Sequence, residues 1–490
     1  MSEDKSAYRQ IMKTTSIFGG LQVFQIIIGI IRSKFIAVLL GPAGMGLAGL
    51  LQAGTGMIAG LTNFGLSRSA IKNISAAQAE GDEEKVGRVI AVFRRLVWVT
   101  GLLGLVITLC LSSFLSQISF GNNDYTWAFA ILSVTLLVDQ ISSGQGVLLR
   151  AMRQVNLMVK SSMLGSVIGL ITTIPLYYFY GSDGIVPALI IAAFTSLFLT
   201  WYFASRLSFK KVKINFSSIK SEGKEMITMG FMISLSGIIT QLVSYFVRLF
   251  ISNYGSIDDV GLYSAGFAIV NNYVGMIFTA MSTDYYPKLS GVANDVTKMN
   301  KAINQQAEIA ILILSPIILV FIVFIKWVIY ILYSDKFLSI NYMILFAASG
   351  MLFKALSWAI AFVFLAKSAG KLFFWNELIT NIYMLVLNLV GYYWYGLTGL
   401  GVSFLLTYIL YAFQVYLVSK SLFKFRIDSE LLKMFFVNLG FTVLCLLTVF
   451  LIKSIYFIYS IGSILIISSS IYNFYKLDKR MGLRDKFYGL

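Results

Sequence analysis

Histidine is absent from all 490 residues. Its absence removes the commonest general base and the commonest metal ligand together. Cysteine occurs twice, at Cys110 and Cys445, each inside an apolar run. Two such residues make no disulfide framework and leave the redox compartment open. Charge is scarce too: 12% of the residues are Asp, Glu, Lys or Arg, against about 25% in a soluble domain. No Walker sequence is present, which excludes energy from ATP bound by this chain. No gap between apolar runs exceeds roughly 30 residues, which leaves no room for a soluble catalytic domain. A cleavable signal peptide is not expected, because Met1–Lys13 is polar and the first apolar run is too long.

What fills the chain instead is apolar. Hydrophobic residues make up 58% of it, and the mean hydropathy is +0.80. Runs long enough to span a bilayer lie near 14–40, 44–66, 89–112, 127–149, 159–180, 184–204, 227–252, 260–282, 307–332, 340–366, 372–394, 398–419, 432–453 and 455–475. Backbone groups in lipid must be satisfied within each segment, so these are helices. The expectation is an all-α integral membrane protein of about fourteen transmembrane helices, with the lipid bilayer as its solvent.

The net charge of +17 raises the question of nucleic acid. The basic residues answer it, because they sit in short gaps on alternate sides of the apolar runs. Of 39 Lys and Arg, 32 fall on one side, and only Lys336 and Lys453 fall in the opposite gaps. This is the asymmetry of a cytoplasmic membrane face. It predicts both termini in the cytoplasm and no nucleic-acid partner.

A repeat underlies the pattern. Tyr177-Tyr178-Phe179-Tyr180-Gly181-Ser182-Asp183-Gly184 matches Tyr392-Tyr393-Trp394-Tyr395-Gly396-Leu397-Thr398-Gly399 at an offset of 215. The same offset pairs Phe35-Ile36 with Phe250-Ile251 and Gly46-Leu47 with Gly261-Leu262. Each copy holds six helices, which implies two parallel lobes. The expected organisation is a tail at 1–13, an N-lobe at 14–206 and a cytoplasmic linker at 207–226. A C-lobe at 227–420, two further helices at 432–475 and a cytoplasmic tail at 476–490 follow.

Ionisable groups inside apolar helices are costly and face a watery cavity or a partner. Basic ones are Arg32, Lys34, Arg248, Lys326 and Lys354; acidic ones are Asp139 and Glu377. Arg32 and Arg248 stand one residue off the repeat offset, each in the first helix of its lobe. Two guanidiniums at one depth suit a diphosphate, because each matches phosphate oxygens bidentately and keeps its charge when desolvated. The alternative is that they snorkel to headgroups or pair with an acid. Lys34 and Lys354 would raise the local potential, whereas Lys326 can reach the outer interface. Asp139 is a candidate H+ or Na+ coupling site, with a structural ion pair as the alternative. Gln25, Asn63, Asn271 and Asn272 add groups for a hydroxyl-rich ligand, as do Gln22 and Gln52, though each could serve helix packing. Gly44-Met45-Gly46-Leu47-Ala48-Gly49 fits a dinucleotide fingerprint by letter only, since no strand precedes it.

The run from Phe35 to Gly46 and the stretch Tyr285-Tyr286-Pro287-Lys288-Leu289-Ser290 resemble Wzx-type O-antigen and polysaccharide flippases, related to MATE exporters and the lipid II flippase. The resemblance spans the chain. It implies that an undecaprenyl-diphosphate-linked oligosaccharide crosses a bacterial inner membrane, from the cytoplasmic to the outer leaflet, by alternating access. It also implies a cation-lined cavity, a lipid groove at the last two helices, no catalytic residues and no cofactor beyond a coupling ion. Other polysaccharide-assembly membrane proteins are candidate partners. Two rivals remain: a cation-coupled MATE-type drug exporter, disfavoured by fourteen helices and a cationic cleft, and a membrane polymerase or ligase of the same pathway. The gap at Ser113–Thr126, without Lys or Arg, argues against such an enzyme.

Overall fold

The computed structural model describes residues 2–210, 212 and 216–481. Helices account for nearly all of these, and no strand occurs among them. In order they are α1 (Ser2–Thr62), α2 (Leu66–Ala79), α3 (Glu83–Cys110), α4 (Ser112–Phe120), α5 (Thr126–Ala151), α6 (Val155–Tyr180), α7 (Ile185–Ala204), α8 (Phe216–Tyr254), α9 (Ile257–Ala268), α10 (Met276–Val292), α11 (Val296–Leu332), α12 (Asn341–Ala366), α13 (Gly370–Phe423), α14 (Ser429–Leu451) and α15 (Ile455–Met481). Part of the expected 207–226 linker and of the 476–490 tail lies outside the described residues.

Among the described residues, eleven stretches are long and apolar enough to cross a membrane. Three are of double length, and each is broken at a glycine, Gly41, Gly181 or Gly396. The chain therefore makes the fourteen crossings that its hydropathy predicts. At Gly41, φ is 66° and Pro42 follows. Pro lacks the N–H that a first helical turn leaves unused, so it restarts the helix without loss.

The repeat is visible in the local structure. Gly181 (φ 53°, ψ −130°) and Gly396 (φ 55°, ψ −138°) hold the same backbone conformation, one open to glycine. Each hairpin then closes so tightly that a Cβ at Gly184 would meet Leu176 O at 2.4 Å, and one at Gly399 would meet Gly391 O at 1.8 Å. Tyr177 and Tyr392 are buried, while the three aromatic residues after each are exposed, as membrane-boundary rings are. The α5–α6 and α12–α13 turns match as well. Arg153 (φ 55°) and Ser368 (φ 54°) both turn left-handed, and the next residue donates back to Leu149 O (2.9 Å) or Phe364 O (2.8 Å). All four comparisons carry the offset of 215.

The chain divides into two compact units, residues 1–261 and 262–490. In the first, the second half of α1 packs with α4, α5, α7 and α8 around buried Leu51, Leu115, Phe129 and Tyr245. Tyr245 Oη lies 2.8 Å from Ser119 Oγ, and Ser252 Oγ donates to Ser119 O at 2.7 Å. Gly46 and Gly261 meet backbone to backbone: a Cβ at Gly46 would sit 1.9 Å from Ile257 O, and one at Gly261 would sit 1.9 Å from Pro42 O. The contact is reciprocal and joins repeat-equivalent residues. Lipid tails are as apolar as leucine, so membrane helices are held by such close approaches of small residues.

In the second unit α12 is the most enclosed helix, packed against α11 and α13. α14 and α15 pack on α11; Asn473 Nδ2 of α15 donates to Asn438 Oδ1 of α14 (2.9 Å), and Arg480 of α15 pairs with buried Glu308 of α11 (3.2 Å). Two elements depart from the sequence reading. α2 and α4 are short helices where only gaps were expected. The eighth crossing is also interrupted between α9 and α10 by a π-helical turn, Ile269–Val274.

Candidate functional site

Two cavities open in the first unit, and Ala192 of α7 lines both. One, of about 400 Å³, is enclosed by α1, α6 and α7. Its wall carries Gln25, Arg32, Ser161, Ser162, Ser166, Ser196 and Thr200. The other, of about 530 Å³, lies among α1, α5 and α7 and carries Gln52, Thr55, Asn63, Thr135, Asp139 and Ser143. Small residues create this space: Gly29, Gly165 and Gly169 line the first cavity and Gly56 the second. Hydroxyls recur at one-turn spacing, as at Ser162/Ser166 and Ser196/Thr200, so each helix turns one polar stripe inward. Ser142 bridges the wall, 2.8 Å from Ser196 Oγ and 3.1 Å from Thr200 Oγ1.

Arg32 brings the charge of the first cavity. Its guanidinium reaches the Tyr177 hydroxyl, and its buried Nε has no hydrogen-bond partner among the described residues. A buried donor left unpaired costs about 1–3 kcal/mol, which an acceptor entering the cavity would relieve. Asp139 is exposed to the second cavity and forms no salt bridge among the described residues. The structural ion pair considered for it is therefore absent there. Asn63 lines the same cavity, but its Oδ1 accepts from Gly65 N (2.8 Å) and fixes the turn into α2.

The other expected site residues are distributed differently. Arg248 Nη1 donates to Ser244 O (3.0 Å) and to Ser244 Oγ on its own helix, and Arg248 lines neither cavity. Lys34 is half-buried, two residues beyond Arg32 and so on another side of the helix. In the second unit, Lys354 Nζ donates to Asn271 Oδ1 at 3.3 Å. Its ammonium faces the rings of Tyr408 (5.0 Å), Phe404 (5.7 Å) and Phe278 (5.8 Å), an aromatic cage suited to a cation. Asn271 and Asn272 are exposed on the π turn, a distortion frequent at functional sites. Lys326 is exposed beside exposed Trp327, as at an interface.

Two features escaped the sequence reading. The serine and threonine wall is one, although its one-turn spacing was a usable signal. The other surrounds Glu377, which the sequence marks only as an acid in an apolar helix. Tyr411 Oη donates to Glu377 Oε1 (2.8 Å), and Gln414 Nε2 donates to Asn376 Oδ1 (2.7 Å), tying the two arms of the α13 hairpin. Asp139 and Lys354 also stand 215 residues apart. The two copies thus present opposite charges at one position.

Fourteen apolar crossings, with polar, hydroxyl-walled cavities in the first unit, are the build of a membrane transporter. No group of three His, Cys, Asp or Glu side chains that could hold a metal occurs among the described residues. Residues 35–342 match the family described as polysaccharide biosynthesis protein, and the chain belongs to that family. A putative O-antigen transporter of Shigella flexneri is 25% identical over 291 residues, covering 58% of this chain and 68% of the relative. The lipid III flippase of Escherichia coli (strain K12) is 21% identical over 399 residues, 78% of this chain and 92% of the relative. Among solved structures, the lipid II flippase MurJ in an inward closed conformation superposes with a TM-score of 0.69 at 14% identity, covering 95% of this chain and 99% of that one. An inward-facing MATE multidrug transporter gives 0.68 at 14% identity, covering 84% and 96%. These likenesses establish the MOP-superfamily fold, and the proteins named are transporters and flippases rather than enzymes.

Proposed function

We propose that this protein flips an undecaprenyl-diphosphate-linked oligosaccharide from the cytoplasmic to the outer leaflet of a bacterial inner membrane. Both termini face the cytoplasm, and the lobes give alternating access. The observation that carries the reading is the Arg32 cavity: one guanidinium with an unpaired buried donor, set among hydroxyls. Phosphate takes the charge, because guanidinium binds its oxygens bidentately. Sugars need only hydroxyl partners, which the serines and threonines supply. The chain's relatives support the same class of cargo. Lys354 and the π-turn asparagines form the counterpart in the second lobe, while Arg248 and Lys34 contribute potential rather than direct contact. Other membrane proteins of polysaccharide assembly act before and after the flip.

Asp139 is the proposed coupling site, taking up H+ or Na+ in the cavity it faces. Transport measured against pH in Asp139→Asn should show a flattened profile, and an unchanged profile would return Asp139 to a structural role. The test of the reading as a whole is to delete the protein and look for the lipid-linked sugar. It should accumulate on the cytoplasmic leaflet. Accumulation in the outer leaflet would point to a later step and overturn the proposal.

A further inference from the structure

A third hollow, of about 480 Å³, lies between α3, α5 and α7 and shares no lining residue with the two cavities. Its rim is formed by Arg94, Trp98, Gln145, Trp201, Ser205 and Phe209. Arg94 is half-buried and stacks its guanidinium on the Phe209 ring at 5.1 Å. Its Nε is buried without a hydrogen-bond partner, and no carboxylate pairs with it among the described residues. Trp98, one turn further along α3, is 52% exposed, and Trp201 is 55% exposed. Arg95 beside it on α3, Arg150 in the last turn of α5 and Arg206 just past α7 belong to the basic residues of the one membrane face. Exposed tryptophans one turn inward from an arginine mark headgroup depth.

We infer that this hollow binds an anionic phospholipid of the basic-face leaflet, with its headgroup phosphate on Arg94. A guanidinium backed by an aromatic ring keeps its free edge for the two non-bridging oxygens of one phosphate. Gln145 and Ser205 are placed for headgroup hydroxyls, and the tryptophan faces carry the start of the acyl chains. The hollow shares no lining residue with the transport cavities, so its ligand is not the cargo that they carry. The bound lipid is therefore a stationary one that pins the middle of α3 to the ends of α5 and α7. The inference rests on the membrane location of the chain and not on the flippase reading.

The experiment uses the purified full chain in detergent, with native mass spectrometry and thermal unfolding as readouts. Dioleoyl phosphatidylglycerol, dioleoyl phosphatidylcholine and inorganic phosphate are added in separate arms. Phosphatidylglycerol should give a retained adduct and a raised unfolding midpoint. Arg94→Ala should weaken adduct retention about tenfold or more, as loss of a charge-assisted hydrogen bond does. Arg94→Lys should fall between, since it keeps charge but loses the fork, and it serves alone if the alanine variant fails to fold. Arg95→Ala, an exposed neighbour, should bind as the unaltered chain does. Retention unchanged in both Arg94 variants, or equal loss in Arg95→Ala, would overturn the assignment. A midpoint raised as much by inorganic phosphate as by phosphatidylglycerol would overturn it too, because the hollow would then be a free-anion site.

Discussion

A methyl group at Gly46 or Gly261 tests the contact that the repeat builds with itself. A Cβ on Gly46 would lie 1.9 Å from Ile257 O, and one on Gly261 would lie 1.9 Å from Pro42 O. Ordinary contact begins near 3.5 Å, so the two helices must part by about 1.5 Å. Both obstructing atoms belong to backbone, so no side chain can swing aside. Overpacking of this kind costs about 1–3 kcal/mol. The distinctive expectation concerns the double variant. Once one methyl has opened the contact, the second meets less resistance, so the double should cost less than the two singles added, by about 0.5 kcal/mol or more. Gly169→Ala is the control, since nothing lies within 4 Å of its added Cβ, and it should be neutral. Thermal unfolding of the purified variants in one detergent supplies all four midpoints. Midpoints unchanged in both singles would mean that the helices do not meet there. Strictly additive losses would mean that the two glycines do not share one contact.

Glu377→Gln keeps an acceptor for Tyr411 Oη and should unfold near the unaltered midpoint, whereas Glu377→Leu strands that buried donor and should lose about 1–3 kcal/mol; equal stability of the two would show that the Tyr411 bond carries nothing. Asp295 caps α11 by accepting from Thr297 N (3.0 Å) and Lys298 N (3.1 Å). The Lys298 amide, foremost, holds its carboxyl below the ordinary range. A depressed pKa contributes stability above the unfolded value that is lost as pH falls through the folded one. Hydrogen exchange at Thr297 and Lys298 should therefore quicken only in acid, and Asp295→Asn should remove that acid dependence; fraying already present at neutral pH would refute the cap.

The crossings were legible because length and charge asymmetry act over whole segments. The repeat was legible because Gly181 and Gly396 hold a conformation open to few other residues, so the surrounding letters persist. α2 left a weaker trace. Leu66, Ala70, Ile74 and Ala77 are buried at helical spacing, yet the segment is too polar for a search built on apolar runs. The π turn at Asn271 has no compositional signature, since one extra residue per turn alters no residue type. Arg32, Gln25 and Asp139 were found by the rule that a polar group in lipid needs a reason. Arg248 met the same rule, and the structure gives it Ser244 on its own helix. The cage around Lys354 joins residues 278, 354, 404 and 408, a convergence that only the fold produces.

The central claim is that Arg32 holds the phosphate of a lipid-linked cargo. Its most direct test is translocation of an undecaprenyl-diphosphate oligosaccharide by protein reconstituted in vesicles, comparing the unaltered chain with Arg32→Ala and Arg32→Lys at equal membrane levels. Removing one partner of a desolvated charge pair costs about 2–5 kcal/mol. Arg32→Ala should therefore lose translocation roughly thirtyfold or more, and Arg32→Lys should recover part of it. Translocation by Arg32→Ala at the unaltered rate would contradict the account, and the guanidinium would then serve only the Tyr177 hydroxyl that it touches.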